Sequence, residues 1–489
     1  MSRRRQPRKL ASLKPPNDGT PLGHLSDAEL VAELARRRMP QGRVDLDALE
    51  DVAEETGRDV GEEALAATIA ALPPEGTAAQ PCPRCGKPVP VKTPNRVRHI
   101  LTTAGELRLS RNYHYCQPCR FGFCPRDREL NLPEEGELSS AMERRVLDFG
   151  INDTFGSAAE RWSIHYPTSI SENLVRRVLE RVGQRSESAS SELSLQRACR
   201  ESPEEPASAL VVGDDGSMLL TREESWREVK VAVVARADDL VREKNRGRVS
   251  EARYVAVLGG QDEFRDKLAA ALEAERADEV PNIVWLGDGA PEVWKLAQEL
   301  CPFAIQVLDL PHAIQNGMAC GKALLGEGDS GLPLWEERLK RLVDAASPDA
   351  AIRELMDCLP YTTTDEQLDA LDQLIGYYRR NEKRMRYSAF REMGLPVGSG
   401  IVESAHRHVL QVRMKRAGQR WAIQRARRMA RLRALYRTAG PLRFHWAIGE
   451  ALKVPPARAH HPVPNAPRRA KHSYTPSRIS PYGRLAASK

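Results

Sequence analysis

At 489 residues, with 41% hydrophobic and 29% charged positions, the chain is large enough for several domains and too apolar to be disordered. No apolar run approaches the about 18 residues that span a bilayer, and the basic start MSRRRQPRKL has no apolar segment behind it, so neither a membrane span nor a signal peptide is expected. The net charge of +7 is unevenly placed: the first residues and the region after Arg407 are basic, whereas Asp45 to Glu63 is acidic.

Residues 1–24 carry no periodicity and read as a disordered basic tail. Residues 25–75 read as a small helical region. Ser26 and Glu29 frame an N-terminal capping box, and two further helices are expected over Leu46–Val52 and Glu62–Leu72.

Residues 78–130 hold the first strong motif. Cys82-Pro-Arg-Cys85 and Cys116-Gln-Pro-Cys119 are two knuckles flanking a pair of strands that turn at Ala104-Gly105-Glu106. A two-residue gap lets both thiolates of a knuckle face one ion, so four such cysteines predict a structural Zn²⁺ in a zinc ribbon. Cys124 and His114 are alternative fourth ligands. The nearby Arg84, Lys87, Lys92, Arg96 and Arg98 suit contact with phosphates.

Residues 139–185 read as three helices, the last bearing Arg176, Arg177 and Arg181. Either a helix-turn-helix unit or a plain three-helix module fits. The Ser- and Glu-rich stretch 186–206 reads as a linker.

From 207 the period becomes extended. Ala207–Val212 and Ser217–Leu220 read as strands on either side of a Gly213-Asp214-Asp215-Gly216 turn, followed by Trp226–Val234. Two more strands, Asn282–Leu286 and Ala304–Leu308, end near Asp288 and Asp309, with His312 three residues on. Open α/β sheets place their chemistry at such strand ends. Residues 313–397 carry only helical signals and read as an all-helical insertion.

Residues 398–440 then form a second part of the same core. A Gly398-Ser-Gly400 turn precedes Glu403 and what reads as one long helix. Twelve Lys or Arg lie between Arg407 and Arg443, with no acid before Glu450. That asymmetry predicts a polyanionic partner, with Arg407, Arg413, Lys415, Arg416, Arg420 and Arg425 joining Arg176 and Arg177 as candidate DNA contacts. Trp421 fits either a core anchor or a base-stacking residue. A disordered tail is expected over 455–489.

Carboxylates gathered beside a cationic element predict a divalent-metal site, because like charges are tolerated at close range only when a cation neutralises them. Mg²⁺ or Mn²⁺ on oxygen ligands, with phosphate alongside, is the chemistry expected.

The stretches VVGDDGSM, IVWLGDGAPEVW, VLDLPHAIQNG and MRYSAFREMGLPVGSGIVESAHRHVLQVRMKRAGQRW resemble DDE-type insertion-sequence transposases, most closely the ISKra4 group. The resemblance spans about residues 80 to 440. It implies an RNase H-like catalytic domain in a multidomain α+β and α/β protein, interrupted by the helical insertion and preceded by a zinc ribbon and a helical DNA-binding module. Carried over by position, the first acid falls on Asp215, with Asp214 the alternative, the second on Asp288 and the Glu on Glu403. Asp309 and His312 resemble an accessory Asp-x-x-His pattern that supports the site or contacts DNA. The implied enzyme is bacterial, cytoplasmic and nucleoid-associated. It acts as a dimer or larger on terminal inverted repeats and target double-stranded DNA. A non-catalytic transposase-derived DNA-binding protein and a related metal-dependent nuclease are the other readings the residues admit.

Overall fold

A computed structural model describes residues 26–453, apart from 40–43, 134–135, 167, 189–190, 244–245 and 346. The tails read as disordered lie outside the described residues. The fold mixes helix and sheet in two compact units, Met1–Arg145 and Val146–Lys489. No described helix is long and apolar enough to cross a membrane.

In the first unit, α1 (Asp27–Arg36) starts on the Ser26–Glu29 capping box. It is followed by α2 (Leu46–Ala70), one continuous helix where two are expected from the sequence. Gly57 and Gly61 suggest a break, yet an internal glycine costs a helix only about 1 kcal/mol. Short strands β1 (Gln80–Pro81) and β2 (Pro88–Val89) pair around the first cysteine knuckle. The twelve-residue strands β3 (Val91–Thr102) and β4 (Gly105–Cys116) then form a long hairpin, which β5 (Phe121–Phe123) extends on the β4 side. The short helix α3 (Pro125–Glu129) follows. Ile100, Leu107 and Leu109 form a small core against Ile69 of α2 and Leu130 and Leu132 beyond α3.

The second unit begins in α4 (Ser140–Asn152), which crosses the boundary in sequence. It continues through α5 (Phe155–His165), α6 (Glu172–Ser188) and α7 (Glu192–Cys199). The expected linker is therefore partly helix: Ser191 caps α7, and Leu195 and Cys199 are buried. Apolar residues four apart outweigh the Ser-rich composition that suggests a linker.

The central sheet is built from β6 (Leu210–Leu220), β7 (Trp226–Arg236), β10 (Arg253–Val257), β11 (Ile283–Gly287) and β12 (Ile305–Leu308), in the order β10-β7-β6-β11-β12. Strands β6, β7 and β10 are antiparallel neighbours, while β11 and β12 run parallel to β6. A hairpin of β8 (Leu240–Glu243) and β9 (Arg246–Val249) stands apart from it. β10 is not among the strands expected from the sequence; its five residues are all buried. Continuous burial of β10 and of Val231–Ala235 in β7 marks a sheet covered on both faces there.

β6 corrects the expected meander. It is a single eleven-residue strand that runs straight through Gly213-Asp214-Asp215-Gly216, so the two acids lie within a strand and not in a turn. Gly213 serves a close approach: a Cβ there would collide with the Val402 side chain.

Helices α8 (Gln261–Ala274) and α9 (Pro291–Leu300) join the strands, the latter with Pro291 at its first position. Beyond β12 the chain is helical: α10 (Leu310–Leu325), α11 (Leu332–Ala345), α12 (Pro348–Cys358), α13 (Asp365–Asn381) and α14 (Tyr387–Glu392). Leu371, Leu374, Ile375 and Tyr378 of α13 pack into the same core as β11 and β12.

The long basic helix is also corrected. It is broken into α15 (Gly400–Ala405), a π-helical stretch over His406–Gln411, α16 (Val412–Met414) and, after a loop, α17 (Ile423–Lys453), with a further break at Gly440 and Pro441. The loop is anchored by β6, since Trp421 exchanges backbone hydrogen bonds with Leu220 and Arg222. Glu223 accepts the Ile423 N–H at the start of α17, a favourable place for a carboxylate.

Candidate active site

The two acids of β6 face opposite ways. Asp214 is buried, and the Trp285 indole N–H donates to its Oδ1 at 2.8 Å. Burial pushes the Asp214 carboxyl up to about 7, the Trp285 hydrogen bond opposes that rise, and the charges of Asp288 and Asp215 add to it. Asp215 retains 39% side-chain exposure; its Oδ1 accepts the Gly216 N–H and its Oδ2 lies 3.3 Å from His406 Nε2. Alternation along one strand makes Asp214 a buried anchor and Asp215 the acid on the open side.

The parallel register sets the other acids level with Asp215. Leu286 pairs with Gly213 and Gly287 with Leu308, so Asp288 follows at the height of Asp215 and Asp309. Asp288 Oδ1 accepts the Ala290 N–H, and its carbonyl accepts the Tyr377 hydroxyl of α13 at 2.7 Å. Asp309 is wholly buried and caps α10. Its Oδ2 accepts the His312 N–H and faces His312 Nδ1, while its Oδ1 accepts the Ser399 N–H. Both oxygens are thus committed within the fold. His312 is held above the ordinary histidine range, first by its hydrogen bond to Asp309 and then by the charges of Asp309, Asp288 and Asp215.

Glu403 sits on α15, which lies on β6 and β7 with Val402 seated against Gly213. Its side chain is exposed and makes no hydrogen bond or ion pair among the described residues. One turn further, His406 is 5% exposed with both ring nitrogens lacking a hydrogen-bond partner, and it opens the π-helical stretch. Burial lowers its proton affinity, against the pull of Asp215. Sequence reasoning passes over His406, although its place three residues after Glu403 puts both on one side of a helix. π-turns of this kind are frequent at functional sites. Asp215, Asp288 and Glu403 are not drawn into ligand distance of one another: among the described residues, the only set gathered within 4.8 Å is made of cysteines.

The candidate DNA contacts divide sharply. Arg177, Arg407 and Arg420 are exposed. Lys415 is exposed beside the site, donating to Ser217 Oγ at 2.6 Å, two residues along β6 from Asp215. Arg176 bonds Asn173 on its own helix, and Arg416 donates to the Val412 carbonyl and lies 3.8 Å from Asp153. Arg413 is not a surface cation. It is fully buried, donates to the Gly150 carbonyl and stacks on Phe155 and Trp421, and burial pushes it down to about 9. Trp421 is a core anchor, its indole N–H donating to the Met414 carbonyl.

The arginines of α17 meet carboxylates from elsewhere in the unit. Arg425 pairs with Glu180, Arg428 with Glu187, Arg431 with Glu192, Arg443 with Glu201 and Arg427 with Glu263. The one-signed helix is neutralised by α6, α7, α8 and the segment after α7. Arg425 therefore leaves the set of free cations.

In the first unit, Cys82, Cys85, Cys116 and Cys119 bring their sulfurs within 4.8 Å of one another, with Cys85 and Cys116 Sγ 3.7 Å apart. Four thiols at that spacing suit a tetrahedral Zn²⁺. Neither alternative ligand belongs to the cluster. His114 turns Nδ1 to the Val89 carbonyl and stacks on Phe123, and Cys124 is buried at the start of α3.

No curated protein matches this chain. Among solved structures, the Drosophila P element transposase strand transfer complex matches at 12% identity and a TM-score of 0.23, over 67% of this chain and 94% of that one. A sequence profile of UPF0236, described as an uncharacterised protein family, matches residues 46–447. With that match extending from α2 into α17, the chain belongs to the UPF0236 family.

Proposed function

We propose that the protein is a DDE-type transposase of a bacterial insertion sequence, akin to the ISKra4 group, that binds terminal inverted repeats and cleaves and joins double-stranded DNA. The observation that carries this reading is the sheet. An antiparallel trio β10-β7-β6 continued by parallel β11 and β12 is the strand arrangement an RNase H-like domain requires, and it sets Asp215 and Asp288 level on adjacent strands. Helices α10 to α14 then take the part of the insertion that separates this half of the core from Glu403.

The donor chemistry fits a divalent cation. Asp215 Oδ2 faces only His406, Asp288 keeps Oδ2 outside its hydrogen bond to Ala290, and the Glu403 carboxylate is uncommitted. Mg²⁺ or Mn²⁺ on these hard oxygens would supply Lewis acidity for phosphodiester hydrolysis and transfer. The protein's own groups position that chemistry. His406 lies beside Asp215, and Asp309 ties the segment before Glu403 to the end of β12. Lys415 offers a cation to a phosphate at the open edge of β6, and Arg177, Arg407 and Arg420 extend that charge. Two DNA ends require at least a dimer.

Strand-transfer assays on Asp215→Ala, Asp288→Ala and Glu403→Ala test the assignment. Each should lose cleavage and joining while retaining DNA binding. Full activity in Glu403→Ala refutes it, and cleavage without joining in the parent protein makes it a nuclease instead.

A further inference from the structure

His406 is seated over Asp215 by the same contact that places α15. Gly213 and Asp215 project from one face of β6, and Val402 rests against Gly213. His406 follows Val402 by one helical turn. Four helical residues rise about 6 Å and two strand residues advance about 6.6 Å, so the imidazole comes level with the Asp215 carboxylate. Its Nε2 stands 3.3 Å from Asp215 Oδ2, yet the pair forms no hydrogen bond, and neither ring nitrogen has a hydrogen-bond partner among the described residues. The residue is only 5% exposed. Unpaired polar atoms in so buried a place are costly, and packing alone would be better served by an apolar side chain.

We infer that His406 is a nitrogen ligand to the divalent cation of the Asp215 site, and that the site prefers a first-row transition ion such as Mn²⁺ to Mg²⁺. The separation of the two side chains carries the inference. With metal–ligand bonds of about 2.1 Å, neighbouring ligand atoms stand roughly 3.0 Å apart in an octahedron and roughly 3.4 Å apart in a tetrahedron, and 3.3 Å falls between them. A hydrogen bond between the same atoms would be shorter, at about 2.9 Å, and aligned. The competing nitrogen donor, His312, faces Asp309, whose oxygens are committed to the backbone N–H groups of His312 and Ser399. Imidazole suits transition ions, whereas Mg²⁺ keeps to oxygen. The inference rests on the metal-dependent reading of Asp215, Asp288 and Glu403, and goes beyond it in naming a further donor and the class of ion.

The test is electron spin-echo envelope modulation of Mn²⁺ added to the full-length protein, dialysed free of loosely held metal and labelled with ¹⁵N at histidine alone. A directly bound imidazole couples its nitrogen to the unpaired electrons of the ion, so the parent should show a ¹⁵N coupling. His406→Gln should lose that coupling with its circular dichroism unchanged, and His312→Ala should retain it. In competition, displacing half the Mn²⁺ from the parent should take an excess of Mg²⁺ of about tenfold or more, and that excess should fall severalfold in His406→Gln. Asp215→Ala, at a partly exposed strand position, is the second variant and should lose bound Mn²⁺ and coupling together. Mn²⁺ bound to the parent without ¹⁵N coupling overturns the inference. So do failure to bind Mn²⁺, a coupling that survives in His406→Gln or Asp215→Ala, and one that vanishes in His312→Ala. Strand transfer does not enter the assay. Its absence with the coupling intact would refute the transposase reading alone, and its presence with Mn²⁺ bound but uncoupled would refute the ligand role alone.

Discussion

The Asp309 carboxylate accepts the backbone N–H of Ser399, which lies 90 residues further along the chain. A parallel backbone bond from the Leu310 N–H to the Val397 carbonyl doubles the link. The whole run of helices from α10 to α14 is thereby closed at its base, and the closure sits immediately before the helix that carries Glu403. Asp309→Ala would strand the part-buried N–H groups of Ser399 and His312, at up to about 1–3 kcal/mol for each group left unsatisfied. Thermal denaturation should show that loss, and amide exchange at Ser399 should accelerate. An unchanged exchange rate would show that the tie does not hold the loop.

Gly213 offers a reversible test of how Glu403 is placed. Gly213→Ala puts a methyl group where the Val402 side chain rests, and overpacking of this kind costs about 1–3 kcal/mol. On the proposed function, DNA strand transfer should fall at least tenfold in G213A and recover in G213A/V402A. If the double variant stays as poor as the single one, the fault lies in β6 itself and not in the seating of α15.

The cysteine cluster predicts a stoichiometry. The parent protein should hold one zinc per chain by elemental analysis. Cys82→Ser or Cys119→Ser should lose it and loosen the first unit, because a structural zinc contributes directly to folding. Cys124→Ser and His114→Ala should retain the metal, since neither side chain belongs to the cluster.

Glu263, which faces α17 from α8, predicts acid sensitivity. Burial raises the Glu263 pKa, but hydrogen bonds and charges from Lys267 and Arg427 outweigh it and hold the group below the ordinary glutamate value. With the folded pKa depressed, the stabilisation is complete above the unfolded value of about 4.3 and is lost as pH falls through the folded value. Glu263→Gln should remove part of the stability at neutral pH and flatten the acid limb of a melting-temperature profile. The companion variant R427A/R428A/R431A should lower stability yet, on the proposed function, leave the salt slope of DNA binding nearly unchanged. A large change in that slope would mean the pairs open to receive DNA.

Much of the architecture could be read from local signals. The cysteine knuckles declare themselves by spacing, and the acids at 215, 288 and 309 stand beside apolar runs that become neighbouring strands. What escaped reading depended on partners distant in sequence. Gly213 and Gly216 look like turn residues until Val402 is seen to need the first. The arginines of α17 look unopposed because Glu180, Glu187, Glu192, Glu201 and Glu263 lie more than 150 residues earlier. Arg413 has the composition of a surface cation, and only the Gly150 carbonyl and the rings of Phe155 and Trp421 reveal it as an internal one. His406 acquires meaning through Asp215, which no periodicity connects to it.

Adjacent acids on a straight strand make β6 sensitive to sliding. A shift of one residue against β7 and β11 has two outcomes. In one direction Asp214 reaches the open position and Gly213 falls beside Trp285, leaving the indole N–H without an acceptor in the core. In the other Asp215 falls beside Trp285 and Gly216 takes the open position, leaving it without a carboxylate. Either slip also brings a side chain to the place of Gly213, where Val402 leaves no room for one. The glycines on both sides of the acid pair, together with Trp285, therefore act as a gauge of strand alignment.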